Sequence, residues 1–347
     1  MLLGVNLFIL AALTLLTEIY LRWKLDPRYA PRPDFEILHP TTVWAPCPNL
    51  HYTYYGPDFS QHIITDPFGC RLDGLGPPGP DDSLLLLVGD SYTFGWGVSG
   101  DQTYAAYLDR LLSQARPGWR VVNLGVPGFS LLASAQRLQD YLHTVDRRRV
   151  RGVLVLHADN DPVDNVLYLH HKTGFLVRTY PPRSPTSPSR LINLLTRAWR
   201  DYTAPEGVGP KTQGPMLWAG VDWGRYEDMD PREIDLPGTK KARHLTPLQA
   251  RLMRLGIDKI HRALGRDVSI HHLVLYLGPE SEVYAPAMIE VFPQDFPAHY
   301  HGLMKPGSWD RSVRGHNQHS GGHFTPAYNE HCARVMFDLL QLNAPGR

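Results

Sequence analysis

The sequence predicts an α/β fold, a three-layer α/β/α sandwich on a short parallel sheet of about five strands. Three observations predict it. The apolar run Leu84 to Val88 breaks off at Gly89-Asp90-Ser91, as a buried strand does at the edge of a sheet. From Ser83 onward, strand-like runs alternate with stretches of helical spacing, and that rhythm implies parallel strands joined by crossover helices. The chain is also large enough for a core, with 347 residues of which 43% are hydrophobic. Its 10% aromatic content is too rich for a disordered chain.

The elements follow in order. Leu2 to Leu16 is apolar except for Asn6 and Thr14, and the stretch continues through Glu18 to Leu21 before Arg22, Lys24 and Arg28. No Lys or Arg precedes it and no small-x-small site follows, so residues 1–24 read as an uncleaved single-pass membrane anchor rather than a signal peptide. The cations after the span favour a cytoplasmic main domain by the positive-inside rule. Residues 25–80 read as a stalk and a small strand-rich cap. They carry Tyr52, Tyr54, Tyr55, the turn Asp66-Pro67-Phe68-Gly69 and the linker Gly76-Pro77-Pro78-Gly79-Pro80. Cys47 and Cys70 in this segment could pair or stay free, whereas Cys332 falls on the apolar face of the last helix.

Residues 81–347 form the main domain. Strands are expected at Leu84–Val88, Arg120–Leu124, Gly152–His157 and Ile270–Leu277. A helix is expected from about Asp101, where Tyr104, Tyr107, Leu108, Leu111 and Leu112 recur at helical spacing, and another from about Ser134 to His143. Thr246, Pro247 and Gln249 form a capping box that opens a helix ending at Gly265, and Thr325-Pro326 opens the last one. Residues 162–243 read as an insertion with little period, in which only Arg190–Tyr202 has helical spacing. The formal net charge of +1, with no basic block, excludes a nucleic-acid partner.

The chemistry starts at Ser91. A serine on a tight turn at the C-terminal end of a strand sits where open α/β sheets bind ligands. Unpaired N–H groups of a following helix favour developing negative charge there. A nucleophilic serine also needs a base and an oxyanion site. Three later segments offer them at strand ends or a helix start: Asn123 to Gly128, His157-Ala158-Asp159-Asn160-Asp161, and Gly321-Gly322-His323.

Gly89-Asp90-Ser91, the Gly128 turn, Asn160-Asp161 and the late His323 resemble, in order, the four signature blocks of the SGNH (GDSL-type) hydrolases. The resemblance covers roughly residues 83–163 and 244–342, and the apolar N-terminus looks like the membrane-anchored bacterial members. It implies a flavodoxin-like SGNH fold and a site working outside the cytoplasm. It further implies Ser91 as nucleophile, His323 as general base, and an oxyanion hole made of the Ser91 N–H, the Gly128 N–H and the Asn160 amide. One position departs from the pattern. The family usually has Asp three residues before the histidine, where this chain has Ser320, so Ser320 and the more distant Asp310 are the candidates for orienting His323.

The expected function is a serine-dependent esterase or deacylase acting on a carboxylic ester, carbohydrate- or lipid-linked, through an acyl-enzyme. No cofactor or metal is expected. An O-acyltransferase would use the same site, and a non-catalytic binding protein on a degenerate scaffold is the alternative that Ser320 favours. The pairs His170-His171 and His271-His272, with His316 and His319, would serve a metal phosphoesterase, but no Cys or carboxylate completes a ligand set at metal spacing. Tyr92, Phe94 and Trp96 could line an acyl or sugar pocket or pack in the core, and Trp199, Trp218 and Trp223 could bind carbohydrate or pack within the insertion.

Overall fold

Why the chain folds around Leu84–Val88 is clear from the computed structural model, in which β5 (Ser83–Val88) is buried on both faces, one strand in from the edge of a sheet with five strands among the described residues. The structure describes residues 2–24, 36–55, 59–72, 76–158, 160–173, 189, 191, 192, 195, 245–275, 298–302 and 323–342. The other four strands of the main sheet are β6 (Trp119–Asn123), β7 (Val150–His157), β8 (Ser269–Val274) and β9 (Ala298–Gly302). Their spatial order is β6-β5-β7-β8-β9 and every pairing is parallel. This is the flavodoxin-like order 2-1-3-4-5, whose switch point lies between β5 and β7, beside the end of β5 that carries Ser91.

Alternation along β5 assigns the layers. Leu84, Leu86 and Val88 pack with α4 (Leu131–Leu142) and α6 (Pro247–Leu264), through Leu138, Met253, Ile257 and Ile260. Leu85 and Leu87 face the other way, onto α3 (Tyr104–Ala115) and α7 (Pro326–Leu342), through Leu108, Leu112, Cys332 and Met336. Two helical layers therefore enclose the sheet. The helices start where their caps dictate. Thr103 Oγ1 accepts from Ala106 N–H, Ser130 Oγ from Ala133 N–H, and Thr246 and Gln249 make the reciprocal capping box ahead of Pro247.

Three expectations are corrected. Ser91 does not sit on a loop leading to a helix near Asp101; it is the first residue of a one-turn helix, α2 (Ser91–Phe94), and only a 3₁₀ turn at Gly100–Gln102 precedes α3. The first turn of α4 lies before Ser134, with Ser130 as its cap. The start of the region read as aperiodic is helical, because α5 spans Asp161–Thr173 and buries Val166 and Tyr168. Pro162 suits a first-turn position, where its missing N–H removes nothing. The segment Arg190–Tyr202 and Trp199, Trp218 and Trp223 lie mostly or wholly outside the described residues.

Before the sheet, α1 (Leu2–Lys24) carries an 18-residue stretch, Gly4–Leu21, of mean hydropathy 1.8, long and apolar enough to cross a membrane. Its Leu7, Phe8, Leu10 and Leu16 are exposed, and its Glu18 carboxylate accepts from Ser189 Oγ and Leu191 N–H. Two antiparallel hairpins follow, β1 (Glu36–His39) with β2 (Val43–Pro46), and β3 (His51–Tyr55) with β4 (Ser60–Ile64). Cys47 and Cys70 are not joined in a disulfide; Cys70 is buried against the core, which pushes its thiol pKa up.

Candidate active site

The turn after β5 is held from both sides. The Asp90 carboxylate caps α2 by accepting the Tyr92 N–H at 3.0 Å, and Gly95 closes the helix with its N–H on the Ser91 and Tyr92 carbonyls. The buried Arg71 guanidinium donates to the carbonyls of Phe94, Gly95 and Val98 as well as His62, so one side chain from the segment after β4 fixes the exit of the turn. Asn123, at the end of β6, donates from Nδ2 to the Thr93 carbonyl and accepts the Gly125 N–H. Gly125 itself lies so close to α2 that a Cβ there would come within 2.4 Å of the Phe94 nitrogen. Only glycine lets the two loops meet.

On this frame Ser91 Oγ lies 2.7 Å from His323 Nε2. Both residues are half-buried. His323 stands three residues ahead of α7, and the Tyr92 ring lies over its imidazole at a centroid distance of 4.7 Å. Tyr92 also contacts Phe324, so the side chain next to the serine packs the histidine segment against the domain. A hydroxyl and an imidazole nitrogen at this separation have the geometry of a nucleophile and its general base.

Gly128 lies in the exposed turn after β6, with φ of 72°, a left-handed conformation that favours glycine. The turn is tied to the serine loop through the Gly89 carbonyl, which accepts from Val126 N–H at 3.3 Å and Ser134 Oγ at 3.3 Å. From β2, Trp44 Nε1 donates to the Pro127 carbonyl, and its ring meets Phe129 edge-on. Asn160, directly before α5, donates from Nδ2 to Asp164 Oδ2 at 2.6 Å and to Asp90 Oδ2 at 3.3 Å. The structure thus joins Ser91 to His323 directly, and Asn160 to the Ser91 turn through Asp90. Ser320 and Asp310 lie outside the described residues, as do His316 and His319.

The remaining histidines of β7 and β8 pack inward. His157 Nε2 meets His272 Nδ1 at 2.9 Å, and His272 Nε2 meets His261 Nε2 at 2.9 Å. The rings stack, with centroids 5.2 Å apart in both steps. Burial holds His157 down to about 3 and lowers His272 and His261 as well, so all three are neutral near pH 7. His271 pairs with Ser269. Phe94 is fully buried, whereas Trp96 is half-buried against Tyr54 of β3 and Phe59, just before β4.

Residues 87–232 match the model of the GDSL-like lipase/acylhydrolase family. That stretch, a little under half of the chain, is similar to a GDSL-like lipase/acylhydrolase domain. The match takes in Ser91, Gly128 and Asn160, and it supports a hydrolase acting on ester bonds. Among solved structures, the chain is similar to the psychrotrophic esterase EstA from Pseudoalteromonas sp., in a structure inhibited by monoethylphosphonate. Identity is 12%, over 76% of this chain and 100% of that one, with a TM-score of 0.40. It is also similar to TesA, at 14% identity over 75% of this chain and 98% of that one, with a TM-score of 0.38. Carboxyl esterase 2 from the mycorrhizal fungus Tuber melanosporum shares 11% identity over 84% of each chain, with a TM-score of 0.30. A comparison with curated protein sequences finds no match.

Sequence reasoning misses three residues that build the candidate site. Arg71 lies in a turn-rich segment with no local signal, and Asn123 ends a strand whose sequence does not mark its side-chain bonds to Thr93 and Gly125. Asp164 is invisible until residues 161–173 are known to be a helix, since only then does its position four residues after Asn160 put it back over that side chain.

Proposed function

We propose that the protein is a serine esterase or deacylase that cleaves a carboxylic ester through an acyl-enzyme. The observation that carries the reading is the 2.7 Å approach of His323 Nε2 to Ser91 Oγ. In the first half-reaction His323 takes the hydroxyl proton as Ser91 Oγ bonds to the carbonyl carbon, and the carbonyl oxygen becomes an oxyanion. The Ser91 N–H, the Gly128 N–H and the Asn160 amide stabilise that charge. Collapse breaks the C–O bond to the alcohol, which leaves with the proton held on His323. Water then resolves the acyl-serine by the same steps in reverse roles. The acyl acceptor in the second step is the only difference between a hydrolase and a transferase, and the half-exposed serine leaves water free to serve.

A carbohydrate- or lipid-linked ester is the substrate class the reading favours, since α1 would hold the domain at a membrane surface. We infer that α1 is a single-pass anchor with the domain outside the cytoplasm, supported by its hydropathy and its exposed apolar surface. The full chain should stay in the membrane pellet through alkaline carbonate extraction and a chain lacking residues 1–24 should not; release of both would sink the anchor. The enzymatic reading is tested by p-nitrophenyl ester hydrolysis in the presence and absence of EDTA. Turnover that EDTA leaves unchanged is expected, and turnover abolished by EDTA would return the metal alternative.

A further inference from the structure

We propose that Asp164 is a positioning residue that turns the Asn160 amide donors toward the Ser91 turn and thereby sets the strength of the oxyanion site. The proposal rests on the reading of Asn160 as an oxyanion donor. An asparagine directly before a helix ordinarily points its side-chain oxygen at the N–H groups of the first turn. Here the amide is reversed. Its Nδ2 faces two carboxylates, Asp164 at 2.6 Å and Asp90 at 3.3 Å, and its Oδ1 is buried with no hydrogen-bond partner among the described residues. The Val163 and Asp164 N–H groups go instead to the Asn160 main-chain carbonyl, at 3.0 and 2.9 Å.

An unpaired buried oxygen is unfavourable, so the orientation has to be imposed. The short, charge-assisted bond to Asp164 imposes it, and the Asp164 N–H on the Asn160 carbonyl closes a clamp on the same residue. One amide hydrogen is thereby fixed. The other, weakly engaged with the carboxylate next to Ser91, is the one an oxyanion can capture. Without Asp164 the amide is free to rotate and cap α5 with its oxygen, which withdraws both donors from the serine. The role is geometric, since the negative charge of Asp164 in itself opposes an oxyanion. An uncharged acceptor of the same shape should serve as well.

The test is the steady-state hydrolysis of p-nitrophenyl acetate by the full-length wild type, Asp164→Ala, Asp164→Asn, Asn160→Ala and the Asp164→Ala/Asn160→Ala double variant. Asp164→Ala is expected to lower kcat by roughly tenfold to a hundredfold with KM within about twofold, as misplacement of a transition-state donor does. Asp164→Asn should recover kcat to within about threefold, because its side-chain oxygen still accepts from Asn160. The double variant should be no slower than Asn160→Ala. Asp164→Ala with wild-type kcat, beside an impaired Asn160→Ala, overturns the proposal alone, and so do losses that multiply in the double variant. Wild-type kcat in Asn160→Ala overturns the oxyanion reading and the proposal with it. Asp164→Ser replaces Asp164→Ala if the latter does not fold.

Discussion

Replacing Ser91 with Ala is expected to lower kcat on p-nitrophenyl acetate by about 10⁴-fold or more, and His323→Ala should do nearly the same. The two residues act as one unit, with the imidazole 2.7 Å from the hydroxyl it deprotonates. The double variant should therefore be no slower than the worse single variant, because a nucleophile without its base and a base without its nucleophile are equally idle. Asn160→Ala is expected to fall less, by about 10²–10³-fold, since it removes one oxyanion donor and leaves the attacking pair intact. The ranking is the informative part. If His323→Ala were milder than Asn160→Ala, another group would have to accept the serine proton. Both Ser91 and His323 are half-buried, so neither change opens a large cavity, and unaltered thermal stability separates lost chemistry from lost folding.

The second large effect is acid sensitivity of the fold. His157 and His272 are fully buried, His261 nearly so, and burial depresses all three. A histidine in the unfolded chain titrates near 6.5. Below that pH the unfolded state takes up protons that the native state refuses, so stability is full above about 6.5 and falls as the pH drops toward the folded values. For His157, held at about 3, the loss amounts to about 3 kcal/mol at pH 4. Asp161 does not reverse this, since its carboxylate is 3.8 Å from His157 Nδ1 and already accepts the Ala158 N–H. Asp66 and Asp109 act in the opposite direction. Burial raises both, so they bind protons more readily in the fold and offset part of the loss at acid pH. The histidine share is isolated by comparing denaturant midpoints of the wild type and His157→Gln at pH 7 and pH 4.5. The variant keeps a polar partner for His272 but cannot titrate, so its pH dependence should be shallower. Parallel pH profiles would contradict the assignment.

How much of this was legible in the sequence depended on the range of the signal. Leu84–Val88 could be read as a buried strand because a strand covered on both faces has no polar alternation, and the Gly-Asp-Ser break marks its end without ambiguity. The start of α6 was legible because Thr246, Pro247 and Gln249 each do a local job. By contrast α2 is a single turn, too short to show a period, and α5 is hidden because it opens a long stretch of little period, although Pro162 suits its first turn. Arg71 is the extreme case. Its guanidinium meets carbonyls up to 27 residues away, and nothing near it in sequence announces that contact. The order of Ser91, Gly128, Asn160 and His323 could be read from their strand-end and helix-start positions, but the reversed amide of Asn160 depends on a helix that the sequence concealed.

The most direct measurement is mass spectrometry of the full-length protein after reaction with a fluorophosphonate, with peptide mapping of the adduct. The account predicts one phosphonyl group, carried by Ser91, absent from Ser91→Ala and formed far more slowly in His323→Ala. A wild type that stays unlabelled while hydrolysing no ester, or an adduct on any other residue, would contradict it.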